Sequence, residues 1–374
     1  MSGEATVKGW CPGALRPMRS GDGLLVRVRP FGGRLRRAQA DGLATLAAVH
    51  GNGLLDLSSR GNVQLRGVRE ESHAPLIEGL RGLRLVDASV EAEARRNVMV
   101  TPFWQTGDET ELLVAELTEA LAATDAPDLP GKFGFAVDTG RAPVLTTASA
   151  DIRLERDAGG GLVLVADGMA TGKPVTTGSA VAEALALARW FVAERDGETR
   201  MAALLERATP EGHFVPRRGQ SFEPKPGHSP HGALVGLALG QLRAETFATL
   251  AKHGGMRMTP WRMLLVESAR QLPQIEGIIT DPEDPLLRVV ACTGAPRCAQ
   301  AHGDTRDLAR SLAPHLGAGR VLHVSGCTKG CARKDPADRT VVVRPDGYDL
   351  IENGMAADSP TRSGLTQETL IKAI

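Results

Sequence analysis

Leu24-Leu-Val-Arg-Val-Arg-Pro-Phe-Gly-Gly-Arg-Leu35 reads as a strand that runs into a turn. An alanine-rich helix follows, containing Ala44-Thr-Leu-Ala47 and ending at His50-Gly51. Two short strands come next, over 54–57 and 63–68, separated by the polar Ser58-Ser-Arg-Gly-Asn62. Far downstream the same plan returns. Residues 233–239 read as a strand, and Gly240-Gln-Leu242 leads into a helix that contains Ala248-Thr-Leu-Ala251 and ends at His253-Gly254. Strands over 256–258 and 262–266 then flank Thr259-Pro-Trp261. His50 and His253 occupy equivalent helix ends, where an imidazole complements the helix dipole.

Each β-α-β-β stretch is half of a ferredoxin-like unit, and neither can bury its sheet face alone. The regions after the halves repeat as well. Arg96-Asn-Val-Met-Val100, a helix over 109–123 and a strand over 133–137 form one copy. Arg288-Val-Val-Ala291, a helix over 299–312 and a strand over 321–324 form the other. The strand exits Val137-Asp-Thr-Gly140 and Val324-Ser-Gly326 fall at the same place. Between the copies, residues 180–208 predict one long helix, with Leu185, Trp190, Phe191, Met201 and Leu204 as its apolar contacts. Residues 216–230 are rich in Pro and Gly and predict a linker. The expected fold class is α+β: two ferredoxin-like half-domains (1–90 and 216–285) and two related α/β modules (91–215 and 286–374).

Bulk properties narrow the class of function. At 374 residues the chain exceeds one ordinary core, so several subdomains are expected. The net charge is zero and aromatic residues make up 3%, which argues against a nucleic-acid partner. No apolar run is long enough to span a bilayer, and the first residues do not resemble a signal peptide. The expected location is the cytoplasm, with no membrane partner, where thiols stay reduced.

Four of the five cysteines, Cys292, Cys298, Cys327 and Cys331, form a C-x5-C … C-x3-C set, and only the second α/β copy carries them. Each pair sits where a strand exits toward a helix, among glycines and small residues that let backbone approach a bulky inorganic group. Amides at helix starts can hydrogen-bond sulfide and thiolate. Zinc knuckles use shorter C-x2-4-C spacing, and a reducing compartment disfavours disulfides, so the set favours a [4Fe–4S] cluster over either. Cys11 stands apart and reads as a lone thiol. Charge is uneven too: Arg16, Arg19, Arg27, Arg29, Arg34, Arg36 and Arg37 face a single acid, Asp22, over that stretch. Such a concentration suits carboxylate binding, because the planar guanidinium pairs bidentately.

Ala291-Cys-Thr-Gly-Ala-Pro-Arg-Cys298 with Ser325-Gly-Cys-Thr-Lys-Gly-Cys331 resembles the cluster motif of the sulfite/nitrite reductase superfamily. Ser58-Ser-Arg-Gly-Asn-Val-Gln-Leu65 and Arg96-Asn-Val98 resemble its tetrapyrrole-contacting motifs, and the likeness covers nearly the whole chain. The resemblance implies that Arg27, Arg96 and Lys132 stand at the substrate-anion positions. It further implies that Arg29, Arg60, Gln64, Arg66 and Asn97 contact the tetrapyrrole. Gly134 departs from the pattern, since it replaces the second lysine of a Lys-x-Lys pair. Losing one cation of four weakens capture of a small oxyanion and opens room for a larger substrate.

Within the superfamily the likeness is greatest to the branch that serves cobalamin formation. The activity implied is an O2-dependent monooxygenation of precorrin-3A at the C20 meso carbon with γ-lactone closure. The cofactors implied are the [4Fe–4S] cluster and a mononuclear non-haem iron or sirohaem, with NADH as an indirect electron source. No G-x-G-x-x-G follows a strand, so a separate reductase or electron carrier is expected, and Arg333 and Lys334 are candidates for its docking surface. Ligands for a second iron are not legible: His228 and His231 form H-x2-H inside the linker, and His323 reads as a packing residue. A sirohaem-dependent sulfite or nitrite reductase is the first alternative. A non-catalytic iron–sulfur carrier or sensor is the second.

Overall fold

A computed structural model describes residues 12–271 and 274–374, so Cys11 lies outside the described residues. In the first half, the strand Gly23–Val28 alternates partly exposed and buried residues, which sends Val26 and Val28 inward. The helix Arg37–His50 and the antiparallel strands Leu54–Leu57 and Val63–Val68 complete the expected β-α-β-β, and a helix Glu70–Gly82 follows. The second half repeats the plan with the strand Gly232–Leu237, the helix Ala244–Ala251 and the strands Met256–Met258 and Met263–Glu267.

The halves solve their shared packing problem by exchanging edge strands. Arg34–Leu35 leaves the first half and pairs with Met256–Met258, while Gln241–Arg243 leaves the second and pairs with Leu54–Leu57. Each main sheet path is thereby five-stranded and ends in a strand borrowed from the other half. One core runs through both halves, joining Val26, Leu43, Ala47 and Leu65 to Phe247, Leu250 and Leu264. Small residues at Ala40, Ala44 and Ala47 let the two helices lie close together.

The two α/β modules share a strand plan. In the first, Val98–Val100, Phe135–Asp138 and Ile152–Arg156 are parallel neighbours, and Leu162–Ala166 then adds antiparallel. In the second, Val289–Ala291, Leu322–Ser325 and Ala337–Arg344 are parallel and Gly347–Gly354 adds antiparallel. Among the described residues, no helix is long and apolar enough to cross a membrane.

Two expected helices are shorter than their composition suggests. The long one stops at Glu194 and resumes only at Met201–Leu204. Gly197 turns left-handed (φ +91°), and Asp151 captures the Met201 amide at 2.8 Å. The helix expected from residue 299 begins at Arg306. Backbone groups upstream are spent on closing the cysteine loop: Ala295 N–H donates to Gly303 O (2.9 Å) and His302 N–H to Gly326 O (3.0 Å). Within the Pro-rich linker, Gly227–Ser229 is an edge strand beside Gly232–Leu237, and the Ser221 amide donates to Pro143 O at 2.9 Å.

Glu267 holds the exchanged strand Arg34–Leu35 in place. It accepts from Arg257 Nε (2.7 Å) within its own sheet and from Arg34 Nη2 (2.8 Å) on the borrowed strand. Burial raises its carboxyl pKa, but the bonds from Arg34 and Arg257 outweigh that and hold it below the ordinary 4.5. A depressed carboxylate stabilises the fold above its unfolded pKa, and that contribution is lost as pH falls through the folded value. Glu267→Ala is expected to cost about 3 kcal/mol at pH 7, because it strands the buried Arg257. Urea midpoints at pH 7 and pH 4 should differ less for Glu267→Gln than for the wild type, and an equal difference would refute this role.

Candidate functional site

The strand alternation that buries Val26, Leu55 and Leu65 turns Arg27, Arg29, Asp56, Gln64 and Arg66 to the opposite face of the first sheet. Register then lines up a polar row across four strands: Arg27 opposite Gln64, Gln64 opposite Asp56, and Asp56 opposite Gln241. Arg27 donates to Gln64 Oε1 at 2.7 Å, and Gln241 donates to Asp56 Oδ1 at 2.7 Å. This face meets the cysteine-bearing module. Arg306 Nη2 reaches Asp56 at 3.2 Å, and the Gly21 amide donates at 3.1 Å to the carbonyl of Arg297, which precedes Cys298.

The equivalent face of the second sheet is mixed: it carries the buried Arg257–Glu267 pair, with Arg257 donating to Pro102 O and Trp104 O of the neighbouring module, beside an apolar patch. Leu234, Met263 and Leu265 pack with Trp261, which also touches the cluster of Met99, Val144 and Leu145 in the other module. The first interface thus carries a continuous polar row, and the second an apolar patch with one buried ion pair.

The four thiols stand at the exits of two adjacent parallel strands, Val289–Ala291 and Leu322–Ser325. Cys292 Sγ accepts from the Gly326 amide at 3.2 Å, and Thr305 Oγ1 donates to Cys292 O at 2.8 Å. Gly294 (φ +69°) and Gly326 allow this closeness, since added Cβ atoms would lie 2.6 Å from Thr305 Oγ1 and 2.5 Å from Ala301 Cβ. Burial, Cys327 and Cys292 push the Cys331 thiol upward in pKa, while Lys329 and Lys334 oppose them, so these thiols feel one another. Among the described residues no three His, Cys, Asp or Glu converge on the site of a single metal ion. A four-iron cluster takes one thiolate on each iron and so gathers its ligands around a volume. The donor set, its amide contact and the glycine cradle fit such a group.

Several sequence-predicted residues prove to be committed to the fold. Arg96 is buried and pairs bidentately with Asp87 (2.6 and 2.7 Å); it also donates to Arg29 O and lies 3.8 Å over the Phe31 ring. Arg66 is buried against Asp22 (2.9 Å) with Asp56 at 3.8 Å. Each guanidinium is thus paired with an acid inside the protein. Arg29 is buried and donates to the Glu93 carbonyl. Asn97 donates to Phe133 O at 3.0 Å, and Arg60 donates to Lys132 O at 2.9 Å, which ties the 58–62 loop to the neighbouring module. Lys132 itself is exposed.

The room expected at Gly134 is not open: Asn97 fills it, and a Cβ there would lie 2.6 Å from Asn97 Nδ2. His231 stacks near Phe103 at 5.9 Å, and His228 lies exposed on its edge strand. His323 is fully buried with no hydrogen bond to either ring nitrogen; burial first, then Arg333, Arg262 and Lys334, push its pKa down to about 4. Arg333 donates to Pro336 O at 2.9 Å and Lys334 to Lys329 O at 2.6 Å, so both brace the loop after Cys331. Asp56, Gln241, Arg262 and Arg306 were missed from sequence. Asp56 had a signal, as an acid alternating with leucines in Leu54-Leu-Asp-Leu57.

Residues 16–83 match the nitrite/sulfite reductase ferredoxin-like half domain. A protein of Sinorhizobium sp named precorrin-3B synthase is 29% identical over 396 aligned positions, which cover 95% of this chain and 84% of that protein. The structure of the Mycobacterium tuberculosis NirA protein superposes with a TM-score of 0.62 at 17% identity, covering 93% of this chain and 79% of that one.

Because Arg96 is spent on Asp87, Arg96→Gln should act on folding first. Removing one partner of a buried pair costs about 3 kcal/mol or more, measurable by urea denaturation. Unchanged stability in that variant would return Arg96 to the ligand.

Proposed function

The chain belongs to the sulfite/nitrite reductase superfamily, and we propose that it is a precorrin-3B synthase. In this reading it oxygenates precorrin-3A at the C20 meso carbon, and an acetate side chain closes to a γ-lactone. One atom of O2 enters the substrate and the other leaves as water. The two electrons required come from NADH through a separate reductase or electron carrier. The observation that carries the reading is the polar row Arg27–Gln64–Asp56–Gln241 set against the cysteine-bearing module. The name of the Sinorhizobium relative supports the same reading.

The roles of this chain's residues follow from their contacts. Arg27, oriented by Gln64, and Lys132 are placed to meet substrate carboxylates, and Arg60 anchors the 58–62 loop beside Lys132. Arg96, Arg66, Arg29 and Asn97 position those groups through the backbone and acids they bind. Cys292, Cys298, Cys327 and Cys331 would hold a [4Fe–4S] cluster, which supplies one-electron transfer when bound. A mononuclear iron finds no converging ligand set among the described residues, so no step is assigned to one. The filled space at Gly134 weighs against the sirohaem-dependent sulfite or nitrite reductase, whose pattern puts a lysine there. A charged face built against the thiol loops weighs against a mere electron carrier.

Protein purified without oxygen should contain iron and acid-labile sulfide, and Cys298→Ala should lose most of both while keeping its fold by circular dichroism. Given precorrin-3A, a reductant system and O2, the wild type should yield a product heavier by one oxygen. Reductant consumption that depends on sulfite, with no oxygenated product from precorrin-3A, would sink the synthase reading.

A further inference from the structure

Arg262 sits in the turn between Met256–Met258 and Met263–Glu267 with φ +59°. The matching turn of the first half holds Gly61 at φ +64°. Glycine adopts this region freely, whereas a residue with a long side chain is strained there. Gly240 (φ +70°), which repeats the left-handed Gly33 (φ +66°) of the first half, lies against the Arg262 stem, and a Cβ at that glycine would come within 3.0 Å of Arg262 Cγ and Cδ. The position of Arg262 itself is thus the one given up to aim the guanidinium, and such an outlier is where a function should be sought.

The guanidinium points at the cysteine module. Its Nη1 donates to Val289 O at a long 3.4 Å, on the strand that leads into Cys292. Around it the charge does not balance. Burial, then Arg306 and Arg333, push its pKa down to about 10, and Asp56 is the acid that opposes them. Asp56 already accepts from Gln241 and Arg306 and lies 3.8 Å from Arg66. Arg306 is only 7% exposed, and its Nε and Nη1 have no hydrogen-bond partner. Nearby His323 is neutral and adds no negative charge. Arg262 nevertheless keeps partial solvent access. Arg262 and Arg306 thus share a single acid that other groups also use; such an excess of buried positive charge is costly, and a bound anion would offset that cost.

We propose that Arg262 is a carboxylate-binding residue, and that a peripheral carboxylate of the tetrapyrrole supplies the negative charge missing beside Arg306. The assignment rests on the synthase reading and extends the ligand site to the second half-domain. The guanidinium fork suits a carboxylate held bidentately, which explains an arginine at a position where the backbone favours glycine.

The test uses the whole holoprotein and uroporphyrin, a tetrapyrrole with carboxylates all round its rim, followed by fluorescence quenching. Arg262→Gly should raise the uroporphyrin Kd roughly tenfold, about what one charge-assisted bond is worth. Its thermal midpoint should be unchanged or higher, because the left-handed turn is relieved. Arg262→Lys should fall between, and the neutral octamethyl ester should bind wild type and variants alike. A Kd for Arg262→Gly within about twofold of wild type overturns the proposal, as does a lowered midpoint without loss of affinity. Sulfate binding that depends on Arg262 while uroporphyrin binding does not would mark a free-anion site and equally overturn it. Failure of the wild type to bind uroporphyrin at all would bring down the synthase reading, and this assignment with it.

Discussion

Five residues hold the architecture together. Arg34–Leu35 and Gln241–Arg243 cross between the half-domains, and each closes the sheet of the other. A half ferredoxin unit presents an open edge and an unburied face, and both are liabilities in water. The exchange removes two edges at once and forces the helices Arg37–His50 and Ala244–Ala251 into a common layer. With the helical sides used up, each sheet keeps one outer face, and each such face meets one α/β module. The two faces have diverged: Arg27, Asp56 and Gln64 lie on one, and Leu234, Met263 and Leu265 beside the Arg257–Glu267 pair on the other. That divergence sets what each module can pack against.

The arginine-rich first quarter shows how charge in a sequence differs from charge available to a ligand. Arg66 and Arg96 are buried with acids that neutralise them, and Arg34 braces the exchanged strand through Glu267. A guanidinium cannot be buried alone without a cost of several kcal/mol, so Arg34, Arg66 and Arg96 each enter the fold with an acid. Asp87, Asp22 and Glu267 therefore matter to the site as much as the cations do. They fix the strands on which Arg27 and Gln64 stand.

Much of this was legible in the chain. The repeat of helix, strand pair and strand exit gave both halves and both modules, because period-two and helical patterns extend over several residues. The exchange was not legible, since a two-residue strand such as Arg34–Leu35 carries no period. The run after Cys298 has helical composition, yet its amides and carbonyls close the cysteine loop, so tertiary hydrogen bonds override propensity there. Residues 180–208 broke for a related reason: Asp151 captures the chain at Met201 after Gly197 has turned it. Arg262 was invisible because its meaning lies in a backbone angle that it shares with Gly61.

Gly134 bears most directly on what kind of ligand the site admits. Its amide donates to Asp151 Oδ2 at 2.9 Å, its carbonyl accepts from the amides of Asp151 and Ile152, and the Asn97 amide fills the space where a side chain would start. A lysine there would have to displace Asn97, which is itself bonded to Phe133 O, and so disturb the loop that carries Lys132. The absence of a side chain is therefore built into the packing, because a larger residue would have to move Asn97 off the Phe133 carbonyl. The cations that remain on this side, Arg27 on its glutamine and Lys132 on the loop that Arg60 holds, are each fixed by a neighbour and not by one another.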